Sequence, residues 1–192
     1  MTFNDHLRHL VERTLASIPV AEVGDIYAVS FLIDHEDDDP RQPTLTVGYS
    51  TEAQVRRSSQ DASDPAEARW NYAFWIQNQL AVVGDLTSAP GGAVARQKWI
   101  TELGFWHQEP TDPADWVPAT APAAAQIESH FNQTCCQLAR TLHAMGAIQR
   151  SVGRSVPVIV HGLEYCEATA RRTEAANPPG LADEFTSWVL NG

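Results

Sequence analysis

His161 and Glu164 are the side chains best placed to do chemistry, because they follow the apolar run VPVIV and precede a helix-forming segment. An imidazole and a carboxylate at a strand-to-helix junction can exchange protons with a bound group. The first turn of a helix also offers unpaired N–H groups to an anion. No nucleophile or phosphate-binding motif supports the pair: GxSxG, GxxxxGK[ST] and GxGxxG are all absent. Gly91 and Gly92 read as a helix entry rather than an anion cradle. The pair marks a candidate enzyme or ligand site without specifying a reaction.

The acidic run Asp34, His35, Glu36, Asp37, Asp38, Asp39 is the most unusual local composition. Clustered carboxylates can hold a hard cation, but a calcium loop wants oxygens at alternate positions and a glycine at its turn, which this run lacks. A solvated hairpin tip is the plain reading, and recognition of a basic partner is the functional one. The seven histidines and three cysteines show neither CxxC nor HExxH spacing, so neither a metal site nor a cofactor is expected. Cys135 borders the apolar stripe of a long helix and fills core. Cys136 points away, toward solvent or a second layer, and no nearby histidine or cation marks a reactive thiolate.

Six tryptophans are many for 192 residues. Most should be core, but Trp106 and Trp116 flank a proline-rich loop and are candidates for lining a partner surface.

Formal charge of −11 and a single lysine, Lys98, among thirteen Lys and Arg bound the partners. A chain this acidic repels phosphate backbones and anionic lipid, which excludes nucleic acid and membrane surfaces as expected partners. The same charge serves solubility. No apolar run approaches the roughly 18 residues of a membrane span, and MTFNDHLRHL lacks a signal core. With an odd cysteine count, a reducing, cytoplasmic compartment is expected.

These residues must be positioned by a small set of elements. Phe3, Leu7, Leu10, Val11, Thr14 and Ile18 recur at helical spacing behind a Thr2–Asp5 capping box, with Pro19 as the stop. Residues 26–34 (IYAVSFLID) are apolar on both alternating faces, which predicts a central strand. Residues 44–50 (TLTVGYS) alternate, which predicts a strand with one wet face paired to the first as an antiparallel hairpin. Thr51 and Gln54 suggest a cap for a short helix, and residues 56–65 a mobile loop.

Residues 70–77 (WNYAFWIQ) read as an aromatic strand, with QLAVVGD as its continuation or partner. Helices follow over 90–103 and from about Pro122 to Met145, the second striped by Ile127, Phe131, Thr134, Leu138, Leu142 and Met145 and capped by Gly146. Pro157 places the strand SVPVIVHG at an edge or makes it the strand's start. The next helix spans LEYCEATARRTEAA, the run Asn177-Pro178-Pro179-Gly180 breaks it, and a last helix carries Leu181, Phe185, Trp188 and Val189. The expected fold is a single α+β domain over 1–192. It has about four strands in a small mixed or antiparallel sheet packed against several helices, in the order α-β-β-α-β-α-α-β-α-α.

The phrases YAVSFLID with TLTVGYSTE, ARWNYAFW, and VPVIVHGLEY leading to TEAANPPGL resemble an uncharacterised bacterial domain-of-unknown-function family, members of which occur near polymorphic-toxin and immunity loci. The resemblance implies a compact α+β domain that binds another protein, such as a toxin or effector, and it transfers no catalytic residue. An immunity-like protein would use an acidic surface to cover a basic one.

The leading expectation is a protein-interaction module presenting Asp34, Glu36, Asp37, Asp38, Asp39, Trp106 and Trp116 to a basic protein. The alternative is a small enzyme or ligand-binding domain centred on His161 and Glu164. A scaffold with a self-complementary dimer interface is a third reading, and the sequence leaves the oligomeric state open.

Overall fold

The computed structural model describes residues 2–36, 39, 42–84, 90–105 and 120–191. Helix α1 (Phe3–Ala16) begins where the capping box predicts: Thr2 Oγ1 accepts the Asp5 N–H at 3.1 Å, and the Asp5 carboxylate accepts the Thr2 N–H at 3.2 Å. Two otherwise orphaned donors are thereby satisfied. The helix buries Phe3, Leu7, Val11 and Leu15, and a single turn, α2 (Val20–Val23), follows Pro19.

Strands β1 (Ile26–His35) and β2 (Pro43–Thr51) form the expected antiparallel hairpin, in which Phe31 pairs with Val47. Thr51 caps α3 (Glu52–Ser58) by accepting the Gln54 N–H, and α4 (Pro65–Trp70) leads into a 3-10 turn over Tyr72–Phe74. Then come β3 (Ala81–Val83), α5 (Pro90–Glu102), α6 (Thr120–Ala144), α7 (Ala147–Val152), β4 (Val158–His161), α8 (Glu167–Ala176) and α9 (Asp183–Asn191). The sheet order is β3-β2-β1-β4, antiparallel except for the parallel β1/β4 pair, so the α+β class with a mixed four-stranded sheet is as expected.

Strand alternation divides the sheet's side chains into two faces. Val29, Phe31, Leu45, Val47, Val158 and Val160 join the residues of α1, α6 and α7 in the larger apolar cluster. Tyr27, Ala28 and Ile159 face the other way, onto Trp70, Trp75 and Phe185. β1 is thus covered on both sides, as apolar residues on both of its alternating faces predict.

The outer edge of β4 is closed by side chains rather than by a strand. Thr173 Oγ1 accepts the Val160 N–H at 3.1 Å and donates to the Val160 carbonyl at 3.3 Å. One helical turn on, Asn177 Oδ1 accepts the Val158 N–H and Nδ2 donates to the Val158 carbonyl, both at 2.8 Å. The two residues copy the ladder a fifth strand would supply, which removes a template for edge-to-edge aggregation.

Several expectations require correction. β2 has no wet face: Thr44, Thr46 and Ser50 are buried along with Leu45, Val47 and Tyr49. Over part of this strand lies Asn78, whose Oδ1 accepts the Tyr49 N–H; a Cβ on Gly48 would come within 2.5 Å of the Asn78 carbonyl oxygen, so glycine is required there.

Residues 70–77 form no strand. Asp64 accepts the N–H groups of Ala66 and Glu67 and Pro65 occupies the first helical turn, so local capping outweighs aromatic β-propensity. The third strand comes from QLAVVGD instead. In the supposed mobile loop, residues 56–58 belong to α3, and Ser63 is bonded through both its N–H and its hydroxyl to Glu67. The helix after β4 starts at Glu167, leaving residues 163–166 as a loop, and α2, α4 and α7 are further elements. Met145, at the end of the long helix, is exposed rather than part of its buried stripe.

Candidate functional site

His161 ends β4 on the aromatic face of the sheet and is fully buried. Its Nδ1 lies 2.8 Å from the Gly162 carbonyl oxygen, which can only accept, so Nδ1 carries the ring proton. Burial holds the ring's pKa down to about 4, so near pH 7 it is neutral and Nε2 presents a lone pair. The Ser30 hydroxyl, 2.9 Å away, donates to that lone pair. Three aromatic rings complete the enclosure, with centroids 4.9 Å (Tyr72), 5.7 Å (Trp75) and 5.6 Å (Tyr165) from the imidazole.

The fold makes this pair by register. In the parallel β1/β4 ladder, Ser30 lies opposite Ile159 and Leu32 opposite His161, so Ser30 and His161 are diagonal neighbours on one face. Tyr165 reaches across from the loop before α8 and accepts the Tyr72 N–H at 3.1 Å, tying that loop to the 3-10 turn. Burial raises the Tyr72 phenol, and the charge of Asp34 raises it further.

A serine hydroxyl on an imidazole whose other nitrogen is oriented by an acceptor is the hydrogen-bond pattern of a serine–histidine dyad. Here Ser30 is only 3% exposed, and both ring nitrogens are satisfied internally. The arrangement therefore fixes a neutral, doubly bonded polar pair inside an aromatic shell. Glu164 does not join it: its side chain is exposed on the loop after β4, while its carbonyl accepts from Thr169 Oγ1 at 3.5 Å.

The acidic hairpin is differentiated along its length. Asp34 is exposed, and its Oδ1 accepts the His35 N–H at 2.9 Å. Glu36 is held by Arg96, a buried guanidinium on α5 whose Nη2 lies 2.7 Å from the Glu36 carboxylate and 2.9 Å from Gln42 Oε1. Asp39 donates its N–H to the Glu36 carbonyl at 3.0 Å and accepts the Gln42 N–H at its own carbonyl at 2.8 Å. Asp37, Asp38, Trp106 and Trp116 lie outside the described residues.

Cys135 is fully buried, and burial pushes its thiol well up. Cys136 is also buried, its Sγ 3.5 Å from the Arg172 carbonyl of α8, so the second-layer reading holds. Cys166 is exposed at the head of α8, where the Thr169 N–H and hydroxyl lower its thiol. Among the described residues, no group of three or more His, Cys, Asp or Glu side chains converges as a metal site would, and no helix is long and apolar enough to cross a membrane.

Ser30, Tyr72, Trp75, Tyr165 and Arg96 were not singled out by sequence. Ser30 did carry a signal: a hydroxyl within an apolar strand needs an internal partner once buried. No protein family, curated protein or solved structure matches this chain.

Proposed function

We propose that this chain is a protein-interaction module whose acidic hairpin receives a basic protein. The observation that carries this reading is the clamp at the base of the hairpin. Buried Arg96 binds Glu36 and Gln42 together, and backbone bonds between residues 36, 39 and 42 hold the base closed. An acidic tip on a fixed base loses less conformational freedom on binding than a floppy one, and its charge speeds encounter with a basic surface. The immunity-like form of the proposal, with a toxin or effector as partner, rests on the sequence resemblance. The alternative centred on His161 and Glu164 has less support, because the imidazole is sealed and the carboxylate stands apart from it.

The test is affinity capture from the source cells with salt-step elution, comparing wild type with a variant carrying Asp34→Asn, Asp37→Asn, Asp38→Asn and Asp39→Asn. A basic protein held by wild type, released by salt and lost from the variant supports the proposal. The same proteins held equally by both would remove the acidic surface from consideration.

A further inference from the structure

An open groove of about 1070 Å³ runs between α6 and α8. That volume lies at the upper limit of the roughly 300–1,000 Å³ usual for small-molecule pockets. Along α6 its wall extends from Ala125 to Ala144, about 28 Å at 1.5 Å per residue, or roughly five helical turns. On α8 the wall is formed by Ala168, Arg171, Arg172 and Ala175, spaced three and four residues apart.

Cys136 forms part of its floor and also packs against α8, but the rest of the groove is separate from the packing that holds the two helices in place. α8 turns Thr169, Ala170, Thr173 and Ala176 inward, and α6 buries Ile127, Phe131, Cys135, Leu138 and Leu142. What remains is a trough with alanines at both ends of each wall, where a third helix could approach closely.

Its charge runs against that of the chain. Arg140, Arg171 and Arg172 line it against one carboxylate, Glu128, in a protein of formal charge −11. Arg171 pairs with Glu167, but both side chains are largely exposed, so the pair is readily exchanged. Arg140 and Arg172 make no ion pair among the described residues. Arg140 Nε donates to the Ala175 carbonyl, which aims its guanidinium across the groove. The Nε of Arg172 is buried without a hydrogen-bond partner among the described residues, as is Oδ1 of Asn132 on the facing wall. Arg172 Nη2 donates one N–H to Thr169 Oγ1 at 3.4 Å and keeps a second, which together with Nε–H forms the fork that grips a carboxylate through two bonds.

We infer that the α6–α8 groove receives an acidic α-helical segment of a partner protein, with carboxylates gripped by Arg140 and Arg172. Two helical walls match the helix-in-groove mode of recognition, in which a partner helix presents side chains at i, i+3/4 and i+7. The inference rests on the reading of the chain as an interaction module, and adds a contact of opposite sign on elements other than the hairpin.

The experiment uses the full chain and a fluorescent amphipathic helical peptide of about 20 residues with glutamates along one flank, read by anisotropy. The same peptide with glutamines serves as control. Wild type should bind the glutamate peptide at least about tenfold more tightly than the glutamine one, and Arg140→Gln and Arg172→Gln should each erase roughly tenfold. Ala168→Trp, which fills the groove without changing charge, should also block binding, while circular dichroism confirms that each variant is folded. Equal affinity for the two peptides, indifference to both arginine substitutions, or no binding at about 1 mM peptide overturns the inference. Sedimentation showing a wild-type dimer that Arg172→Gln dissolves would assign the groove to a second copy and equally overturn it. Neutralising the acidic hairpin should leave peptide binding intact, and the arginine variants should still capture a basic partner, so the two readings fail separately.

Discussion

The buried state of His161 makes stability depend on pH in a defined window. Its imidazole titrates near 6.5 when exposed and at about 4 in the fold, because burial opposes the charged form. Between those values the unfolded chain holds a proton that the folded chain does not, so lowering the pH favours unfolding. The contribution is complete above about pH 6.5 and is lost as pH falls toward 4. The full shift corresponds to about 3 kcal/mol, of which about 2 kcal/mol should be gone by pH 5. Urea unfolding followed by tryptophan fluorescence at pH 7.5 and pH 5 would measure this, with His161→Gln as reference. The variant should be less stable at pH 7.5, having lost the bond to Ser30, but its stability should fall less toward pH 5. Subtracting it removes the carboxylates and His143, which burial also holds below its ordinary value. An identical pH dependence in both proteins would refute the neutral, doubly bonded imidazole, as would an NMR spectrum showing the ring proton on Nε2 at pH 7.

Asn177→Ala should destabilise the chain by about 2–4 kcal/mol, or roughly 5–12 °C in Tm at this chain length, because it strips both hydrogen bonds from Val158 at the sheet edge. Faster hydrogen exchange at the Val158 amide would localise the effect, and a loss below about 1 kcal/mol would show that water replaces the side chain without penalty. Arg96→Ala should cost about 3 kcal/mol in chemical denaturation, since it removes the buried cation that Glu36 and Gln42 share; Glu36→Gln, which keeps a hydrogen-bond acceptor, should cost less, and the reverse order would contradict the clamp. Iodoacetamide at neutral pH should label Cys166 first, with Cys135 and Cys136 reacting only on unfolding, as mass spectrometry of the alkylated chain would report.

Much of this architecture was legible because it is locally determined. The Thr2–Asp5 box, the Thr51 cap, Gly146 in the left-handed region at φ 67° and the Asn177-Pro178-Pro179-Gly180 break each depend on residues within one turn of one another. Apolar residues on both alternating faces of β1 announced a strand covered on both sides. The aromatic segment misled because Trp70, Tyr72, Phe74 and Trp75 satisfy a composition rule for strands, whereas the deciding residues, Asp64 and Asn71, are caps. The dry second face of β2 depends on tertiary contacts such as that of Asn78 with Gly48, which alternation cannot report. At the site, the position of His161 was readable, but Ser30 lies 131 residues away and meets it only through the register of a parallel pair. Glu164 was chosen for proximity in sequence, yet the chain turns after β4 and leaves it outside.

Several buried polar side chains share a pattern that bears on where binding can occur. Ser30 and His161 satisfy each other, Thr173 and Asn177 complete the edge of β4, and Arg96 joins α5 to the base of the hairpin. Each has its hydrogen-bonding capacity committed to holding elements in register, and a buried group so committed cannot serve a ligand without first breaking what it holds. Outside this set lie the exposed polar groups and a few buried atoms without a partner among the described residues, Asn132 Oδ1 and Arg172 Nε included. Arg172 sits at the boundary between the two sets: its carbonyl lies against Cys136 in the α6–α8 packing, while its guanidinium lines the groove. If the groove is a binding surface, Arg172→Gln should separate the two roles, leaving the fold intact and removing the charge that faces the partner. A substitution that instead unfolded the chain would return Arg172 to the structural set.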